Sequence, residues 1–297
     1  MQLPSCWRAP ALRLARIMVL LTVAAGLAAC SAVRLGYNTL GDVAYWWLDS
    51  YLDFTPQQAS RVREDLVRLH QWHRSEELPR FEQMLQRMEQ LVPRDVTPEQ
   101  ACGFMTEFRE RLLAVARQAE TAAVPLATGL EPDQLLHLQH KYEKNNADYT
   151  SEWVRLGPAE QKEKRYRQFL DRAEMIYGRL DEPQRQELRR DVDRSIFDPK
   201  RILTERQRRQ QDALQTVGRI VRERVAFDEA RVMLRGYVER ALTPPGAAAR
   251  AYQDALVTEG CRHFAILHNS TTLAQREAAV RRLRAWQRDL RELATGR

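Results

Sequence analysis

The sequence predicts an all-α fold, an elongated multi-helix bundle of about nine or ten helices. Glycine is scarce, at 12 of 297 residues, and no alternation of apolar and polar residues lasts for the length of a strand. Apolar residues instead recur at three and four positions almost everywhere past residue 56, which is the spacing of a buried helix face. The predicted helices span residues 37–52, 56–74, 76–92, 98–122, 132–156, 158–178, 183–195, 203–240, 246–265 and 272–294.

A recurrent pattern of an apolar residue, a cap, two further residues and Gln predicts where these helices begin. The cap side chain accepts from the backbone N–H at N3, and the N3 Gln can reach back to the N–H of the cap. We expect Pro79 to break or kink one helix near its start, and Pro125 and Pro199 to lie in connections. The predicted cap and Gln pairs are Thr55 with Gln58, Thr97 with Gln100, Glu131 with Gln134, Asp181 with Gln184, Thr204 with Gln207 and Thr272 with Gln275.

The capping pattern resembles the LTxxQ motif of small periplasmic helical chaperones of the Spy/CpxP kind. Residues 203–207, Leu-Thr-Glu-Arg-Gln, match that motif letter for letter. The resemblance implies a helical cradle for unfolded chains, which is an alternative function for this protein.

The first 29 residues have the three parts of a secretory signal peptide. Arginines precede an apolar run over residues 17–27, and two small residues follow it. The run is shorter than the about 20 apolar residues that a transmembrane helix needs. We therefore predict a signal peptide over residues 1–29.

The end of this segment, Leu27-Ala28-Ala29-Cys30, resembles the lipobox of bacterial lipoproteins. The resemblance implies cleavage before Cys30, acylation of its thiol and new amine, and anchoring to a membrane by lipid. Ser31, where an aspartate would favour the inner membrane, favours the outer membrane. The predicted organisation is a lipid-anchored tether over 30–36 and a single all-helical domain over 37–297. The alternative is an ordinary signal peptide followed by a chance cysteine.

Charge and cysteine content narrow the class of protein further. The formal net charge is +7, and it falls to +4 without residues 1–29, which hold three arginines and no acid. So mild an excess predicts no nucleic-acid partner. Cys102 and Cys261 are a candidate disulfide in an oxidising compartment; the alternative is two buried free thiols.

A longer stretch resembles a family of proteobacterial lipoproteins of unknown function (DUF6279-like). The resemblance covers residues 30–80 most densely and implies the envelope location and the helical fold, but no activity. The segments that carry it are Cys30-Ser31, Arg34-Leu35-Gly36-Tyr37-Asn38, residues 46–53 (Trp-Trp-Leu-Asp-Ser-Tyr-Leu-Asp), Thr55-Pro56-Gln57-Gln58, Trp72-His73-Arg74 and Glu77-Leu78-Pro79.

Aromatic residues are concentrated just after the predicted anchor, and this segment is a candidate partner or interface surface. Such side chains can lie at the headgroup level of a bilayer. Because Asp42, Asp49 and Asp53 share the segment, we expect instead that Trp47 and Tyr51 pack onto the first long helices and leave the acids in water. The candidate interface residues are Tyr37, Trp46, Trp47, Asp49, Tyr51, Trp72 and His73.

Two histidine pairs give weak candidates for a metal site. His70 and His73, with Glu76 or Glu77 further along, share one helix face, and His137 and His140 have the same spacing. Two histidines on one helix are insufficient, because a zinc site needs at least a third ligand. The sequence lacks a GxSxG elbow, an SxxK pair and a phosphate-binding glycine loop, so it predicts no cofactor and no enzymatic activity.

These observations predict a membrane-anchored envelope lipoprotein in the outer membrane, facing the periplasm. We expect its helical surface to bind another envelope protein or envelope component without catalysis. The alternatives are the chaperone-like protein described above and, with less support, a metal-dependent hydrolase built on His70 and His73.

Overall fold

The computed structural model describes residues 33–296, which are almost entirely helical and contain no strand. The predicted signal peptide and Cys30 lie outside the described residues. A short helical stretch over 33–38 leads into the first long helix, and π-helical turns follow α2 and α5, at His73–Glu77 and Thr150–Val154. The helices are α1 (Leu40–Leu52), α2 (Pro56–Trp72), α3 (Leu78–Leu91), α4 (Pro98–Thr128), α5 (Pro132–Tyr149), α6 (Pro158–Tyr177), α7 (Glu182–Arg194), α8 (Pro199–Glu223), α9 (Phe227–Leu242), α10 (Ala247–Asn269) and α11 (Leu273–Thr295).

The all-α bundle predicted from the sequence is confirmed. Helix α11 packs along α3, and α4 contacts both α9 and α10. The larger core lies among α6, α7, α10 and α11, and includes Tyr177, Leu180, Leu188 and Leu283. None of the helices within residues 33–296 is long and apolar enough to span a bilayer.

Five of the eleven described helices begin with a capping interaction at the predicted residues. The N3 Gln and its cap exchange two hydrogen bonds at Thr55, Thr97, Asp181 and Thr272, and at Glu131 the Gln134 side chain accepts from the cap N–H at 3.0 Å. These starts are set locally, which is why the sequence predicts them.

The predicted helix start at Thr204 is wrong. Thr204 lies in the second turn of α8, where its hydroxyl donates to the Lys200 carbonyl at 3.0 Å. The helix begins at Pro199, because Asp198 accepts from the N–H of Lys200 at 2.8 Å and proline is favoured at N1. The one segment that matches LTxxQ letter for letter is therefore not a helix cap.

Helix 203–240 was predicted as a single element, and this prediction is wrong. Arg224 adopts a left-handed backbone conformation, with φ 49°, and α9 folds back along α8. The reversal buries Ile220 and Ala230 against Val124 and Ala127 of α4. This tertiary burial ends the helix at a position that lacks any Gly or Pro signal.

Pro125 also lies elsewhere than predicted, inside α4 rather than in a connection. It stands in the last turn of the helix, so it removes only one backbone hydrogen bond. Its neighbours Val124 and Ala127 are buried against α8 and α9, which keeps this turn helical. At Pro79 the predicted break is a π-helical turn, in which the Leu78 N–H bonds to the His73 carbonyl.

Two pairs of capping glutamines join helix ends that are distant in sequence. The side-chain amides of Gln58 and Gln134 bond to each other at 2.8 and 3.1 Å, and those of Gln184 and Gln275 do so at 2.8 and 2.9 Å. Each Gln also donates to a carbonyl at the end of the helix before its partner, at Gly129, Leu52, Ser270 and Arg179. Each pair thus ties two interhelical turns together.

A disulfide joins Cys102 in α4 to Cys261 in α10. Their Cα atoms are 5.4 Å apart and 159 residues separate them in sequence. The bond links two helices that are distant in sequence and that pack against each other.

Candidate functional site

The outer side of α1 is an unusually apolar exposed surface. Leu40 is 44% exposed, Val43 54%, Trp46 66% and Trp47 58%. Leu40, Val43 and Trp47 follow one another at three and four positions, so they form one stripe along the helix, with Trp46 beside it. We call these four residues the α1 apolar face.

The expectation that Trp47 packs onto the long helices is wrong. Tyr45 is the buried residue of α1 instead, with the Arg63 guanidinium 3.5 Å from its ring centre. Tyr51 does pack, since Asn145 of α5 donates to its hydroxyl at 2.7 Å. Helices α2 and α5 both hold α1 from its inner side, which leaves Trp47 in solvent with its ring 4.7 Å from that of Tyr51.

The acidic residues of α1 lie off the α1 apolar face. At about 100° per residue, Asp42 and Asp49 fall together beyond Trp46, next to that side chain and about 100° or more around the helix from the stripe. Asp49 has a local structural role, because its carboxylate accepts from the Phe54 N–H at 3.0 Å just past the end of the helix. The acids therefore do not interrupt the apolar surface.

The stretch before α1 is docked onto the rest of the domain. Arg34 forms an ion pair with Glu292 of α11, and Arg74 donates to the Asn38 side chain at 2.8 Å. The last residues of the predicted tether are thus folded onto the helices, which holds α1 in a fixed position relative to them.

Tyr37 completes this docking by contacting the two histidines at the end of α2. Its hydroxyl lies 2.9 Å from Nδ1 of His73, and its ring centre is 4.6 Å from that of His70. Burial raises the pKa of Tyr37 to about 12. Burial also lowers the pKa of His70 and of His73, so both imidazoles are neutral near pH 7.

The π-helical turn beside this cluster carries a buried carboxylate. Glu77 is only 1% exposed, and neither of its oxygens has a hydrogen-bond partner in the described part of the chain. Nη1 of Arg111 lies 3.6 Å from the carboxylate and Nη1 of Arg80 lies 3.8 Å away. Single π-helical turns frequently occur at functional sites, where they reorient a side chain.

The predicted metal candidates do not come together as a metal site. Within residues 33–296, no group of three His, Cys, Asp or Glu side chains is placed to hold an ion. His70 and His73 meet Tyr37 instead. His137 contacts the Ser50 carbonyl at 3.2 Å, and His140 is exposed. Trp72 is half-buried at the end of α2.

We expect the protein to lose stability as the pH falls below about 6.5, the ordinary histidine pKa. Burial lowers the pKa of His70, His73, His263 and His268, so the unfolded chain binds protons that the folded chain does not. Each such histidine adds a slope of at most about 1.4 kcal/mol per pH unit. Urea unfolding at about pH 7.5 and about pH 5.5 measures the difference.

The His268→Gln variant should show a smaller loss between these two pH values, because His268 is buried and bonds Tyr177 and the Arg94 carbonyl. The exposed His140→Gln variant serves as the control and should behave as the wild type. Equal unfolding midpoints at both pH values in the wild type would contradict the prediction.

A groove with a volume of about 810 Å³ lies between α5 and α8. This groove was not predicted from the sequence. The only signal is the spacing of glutamines along α8, which places several of them on one side of the helix. Carboxamides dominate its polar lining: Gln139, Asn146, Gln207, Gln210, Gln211 and Gln215.

These features define an all-α domain whose first helix carries the exposed α1 apolar face. The stretch just before that helix packs Tyr37 against His70 and His73. The chain belongs to the family of unknown function DUF6279, whose model matches residues 50–235. The matched segment runs from the end of α1 into α9. Comparisons with curated proteins and with solved structures found no match.

Proposed function

We propose that the protein is an envelope lipoprotein, anchored through Cys30 to the outer membrane and facing the periplasm, whose α1 apolar face lies on the bilayer surface. The remaining helical surface serves a non-enzymatic binding or structural role toward another envelope protein or component. The observation that carries the proposal is the exposure of two tryptophans and two aliphatic side chains on one side of α1.

The position of α1 in the chain supports a bilayer as the occupant of this face. Three residue steps separate Cys30 from Val33, the first described residue, and they span at most about 11 Å. A lipid on Cys30 would therefore keep the start of the folded domain next to the membrane. Arg34 pairs with Glu292, so α1 has little freedom to move away from that position.

The chemistry of the face also fits a membrane interface. Tryptophan is enriched at the level of the lipid headgroups, where its ring is buried and its N–H stays hydrated. Exposed apolar patches on soluble domains commonly mark interaction surfaces. The α1 apolar face contains no charged residue, and Asp42 and Asp49 on its flank can remain in water.

The chaperone-like alternative has less support. It was predicted from LTxxQ, and the segment with the full match is an internal part of α8 rather than a helix cap. The groove between α5 and α8 has a mixed wall, in which Leu135, Leu136 and Leu214 stand beside six carboxamide side chains, whereas an unfolded chain would require a broad apolar surface.

Vesicle flotation tests the proposal with an acylated form and a form that begins at Ser31. We expect the acylated protein to float with vesicles at high salt, and the unacylated form to bind weakly through α1. Replacing Trp46 and Trp47 by Ser should reduce the binding of the unacylated form by at least about tenfold, because burial of an aromatic ring contributes about 2 kcal/mol or more.

The control variant carries Val232→Ser and Leu273→Ser, which remove exposed apolar side chains from α9 and α11. It should bind vesicles as the unaltered form does. Equal loss in both variants, or no binding by the unacylated form, would overturn the role of α1. Failure of Cys30 to incorporate labelled palmitate would overturn the anchor.

A further inference from the structure

A cavity of about 230 Å³ lies between α6, α7 and α10. Its wall is mainly apolar and includes Phe169, Ile176 and Leu256. The space is several times the about 30 Å³ that a water molecule occupies in the liquid. An apolar pocket with a few convergent polar groups is the usual form of a small-molecule site.

Arg165 lines this cavity, and two of its three guanidinium nitrogens, Nε and Nη1, are buried without an acceptor among the described residues. The group stacks on aromatic rings, 4.0 Å from the ring centre of Phe197 and 5.3 Å from that of Phe169. Buried donors without acceptors are rare in folded proteins, because they have lost their hydration without replacement.

The acidic groups on the cavity wall are already engaged elsewhere. One oxygen of Glu259 accepts from the Ser195 hydroxyl, and the other accepts from the Ile196 N–H at 2.9 Å. Asp191 lies 3.5 Å from Nε2 of His263. Burial raises the pKa of Asp191 and lowers the pKa of His263. Within the described residues that line the cavity, the buried donors without an acceptor are thus those of Arg165.

We propose that this cavity binds a small amphiphile that has an apolar body and a single carboxylate head. The carboxylate would accept from Arg165, since guanidinium and carboxylate groups form strong charge-assisted hydrogen bonds. The apolar body would fill the space beside Phe169 and Leu256. A head with one negative charge fits better than a phosphate, because Asp191 and Glu259 lie on the same wall. This proposal does not depend on the membrane role of α1.

Calorimetry on the protein in lipid nanodiscs tests the proposal, with 4-phenylbutyrate as the probe and empty nanodiscs as the blank. We expect one binding site for 4-phenylbutyrate and binding at least about tenfold weaker for 4-phenylbutanol, which has the same body without the charge. Arg165→Gln should remove this preference. The control Arg172→Gln, which changes an exposed arginine at the rim, should retain it.

A second pair of variants tests the location through glycines. A Cβ atom added at Gly260, which lines the cavity, meets no heavy atom within 4 Å, and the same holds at Gly103 in α4. Gly260→Leu should fill the cavity and abolish binding of both probes, while its melting temperature stays equal or rises, since leucine favours helix over glycine. Gly103→Leu should bind both probes normally.

The proposal is overturned if the wild type binds no 4-phenylbutyrate or binds the alcohol equally well. It is also overturned if Arg165→Gln keeps the preference or if folded Gly260→Leu binds normally. The comparison of acid with alcohol uses the wild type alone, so it decides the matter even where a variant fails to fold.

Discussion

Replacing both Cys102 and Cys261 by Ala should lower the free energy of unfolding by about 5 kcal/mol, following the loop-entropy relation for a long closed loop. The bond closes a loop of 159 residues, and a loop of this length restricts the unfolded chain strongly. It also joins α4 to α10, helices that pack against each other. Urea unfolding of the oxidised protein and of the double variant measures the difference.

The wild type in excess reductant is the matched control, because it keeps both sulfur atoms but loses the covalent bond. It should unfold at nearly the same urea concentration as the double variant. If reduction left the midpoint of the wild type unchanged, the bond would have no role in stability. A disulfide with this effect also fits the proposed periplasmic location, since such bonds persist in oxidising compartments.

The sequence predicts helix starts well where a start is set by a local interaction. Thr55 and Asp181 are read correctly because a cap and its N3 Gln lie within one turn of each other. The same pattern at Thr204 predicts a helix start that is not there, because Asp198 caps this helix five residues before the predicted start at Leu203. Which of two possible caps begins a helix depends on the packing of the whole helix, and a four-residue pattern carries no information on it.

Tertiary burial explains the positions where the helix prediction is wrong. The chain reverses at Arg224 because Ile220 and Ala230 are buried together against α4. Helix α4 continues through Pro125 for the same reason, since Val124 beside it is completely buried. Neither contact is visible from periodicity, because the partners are about 100 residues apart in sequence.

The candidate site was predictable in composition but not in arrangement. The sequence places Trp46 and Trp47 near the anchor, yet only the docking of α1 against α2 and α5 decides that they face solvent. The shared face of His70 and His73 follows from their spacing. Their contact with Tyr37 depends on how the preceding stretch folds back, and the donors of Arg165 lose their acceptors only in the packed structure.

Replacing Gln184 by Leu should lower the free energy of unfolding by about 3 kcal/mol, because three polar groups lose a buried partner. Gln184 is 3% exposed. Its amide bonds the Asp181 N–H at 3.0 Å, the Ser270 carbonyl at 2.9 Å and the Gln275 side chain at 2.8 and 2.9 Å. Leucine has a similar size, so the loss measures hydrogen bonding rather than a cavity.

Gln100→Leu is the matched control for this prediction. Gln100 occupies the same N3 position of a capping box, but it is exposed, and in the described residues its side chain bonds only the Thr97 N–H. We expect a loss of about 0.5–1 kcal/mol there, the ordinary contribution of a single hydrogen bond. Similar losses at the two positions would show that the Gln184–Gln275 pair adds nothing beyond capping.

A double-mutant cycle separates the pair from the two caps. If the amides of Gln184 and Gln275 stabilise the fold through each other, replacing both by Leu should be less damaging than the sum of the single replacements, since the second replacement removes a group that is already unpaired. Additive losses would assign the whole effect to capping and to the two carbonyls. Sub-additive losses would identify the amide pair as the contact that holds the α6–α7 turn against the α10–α11 turn.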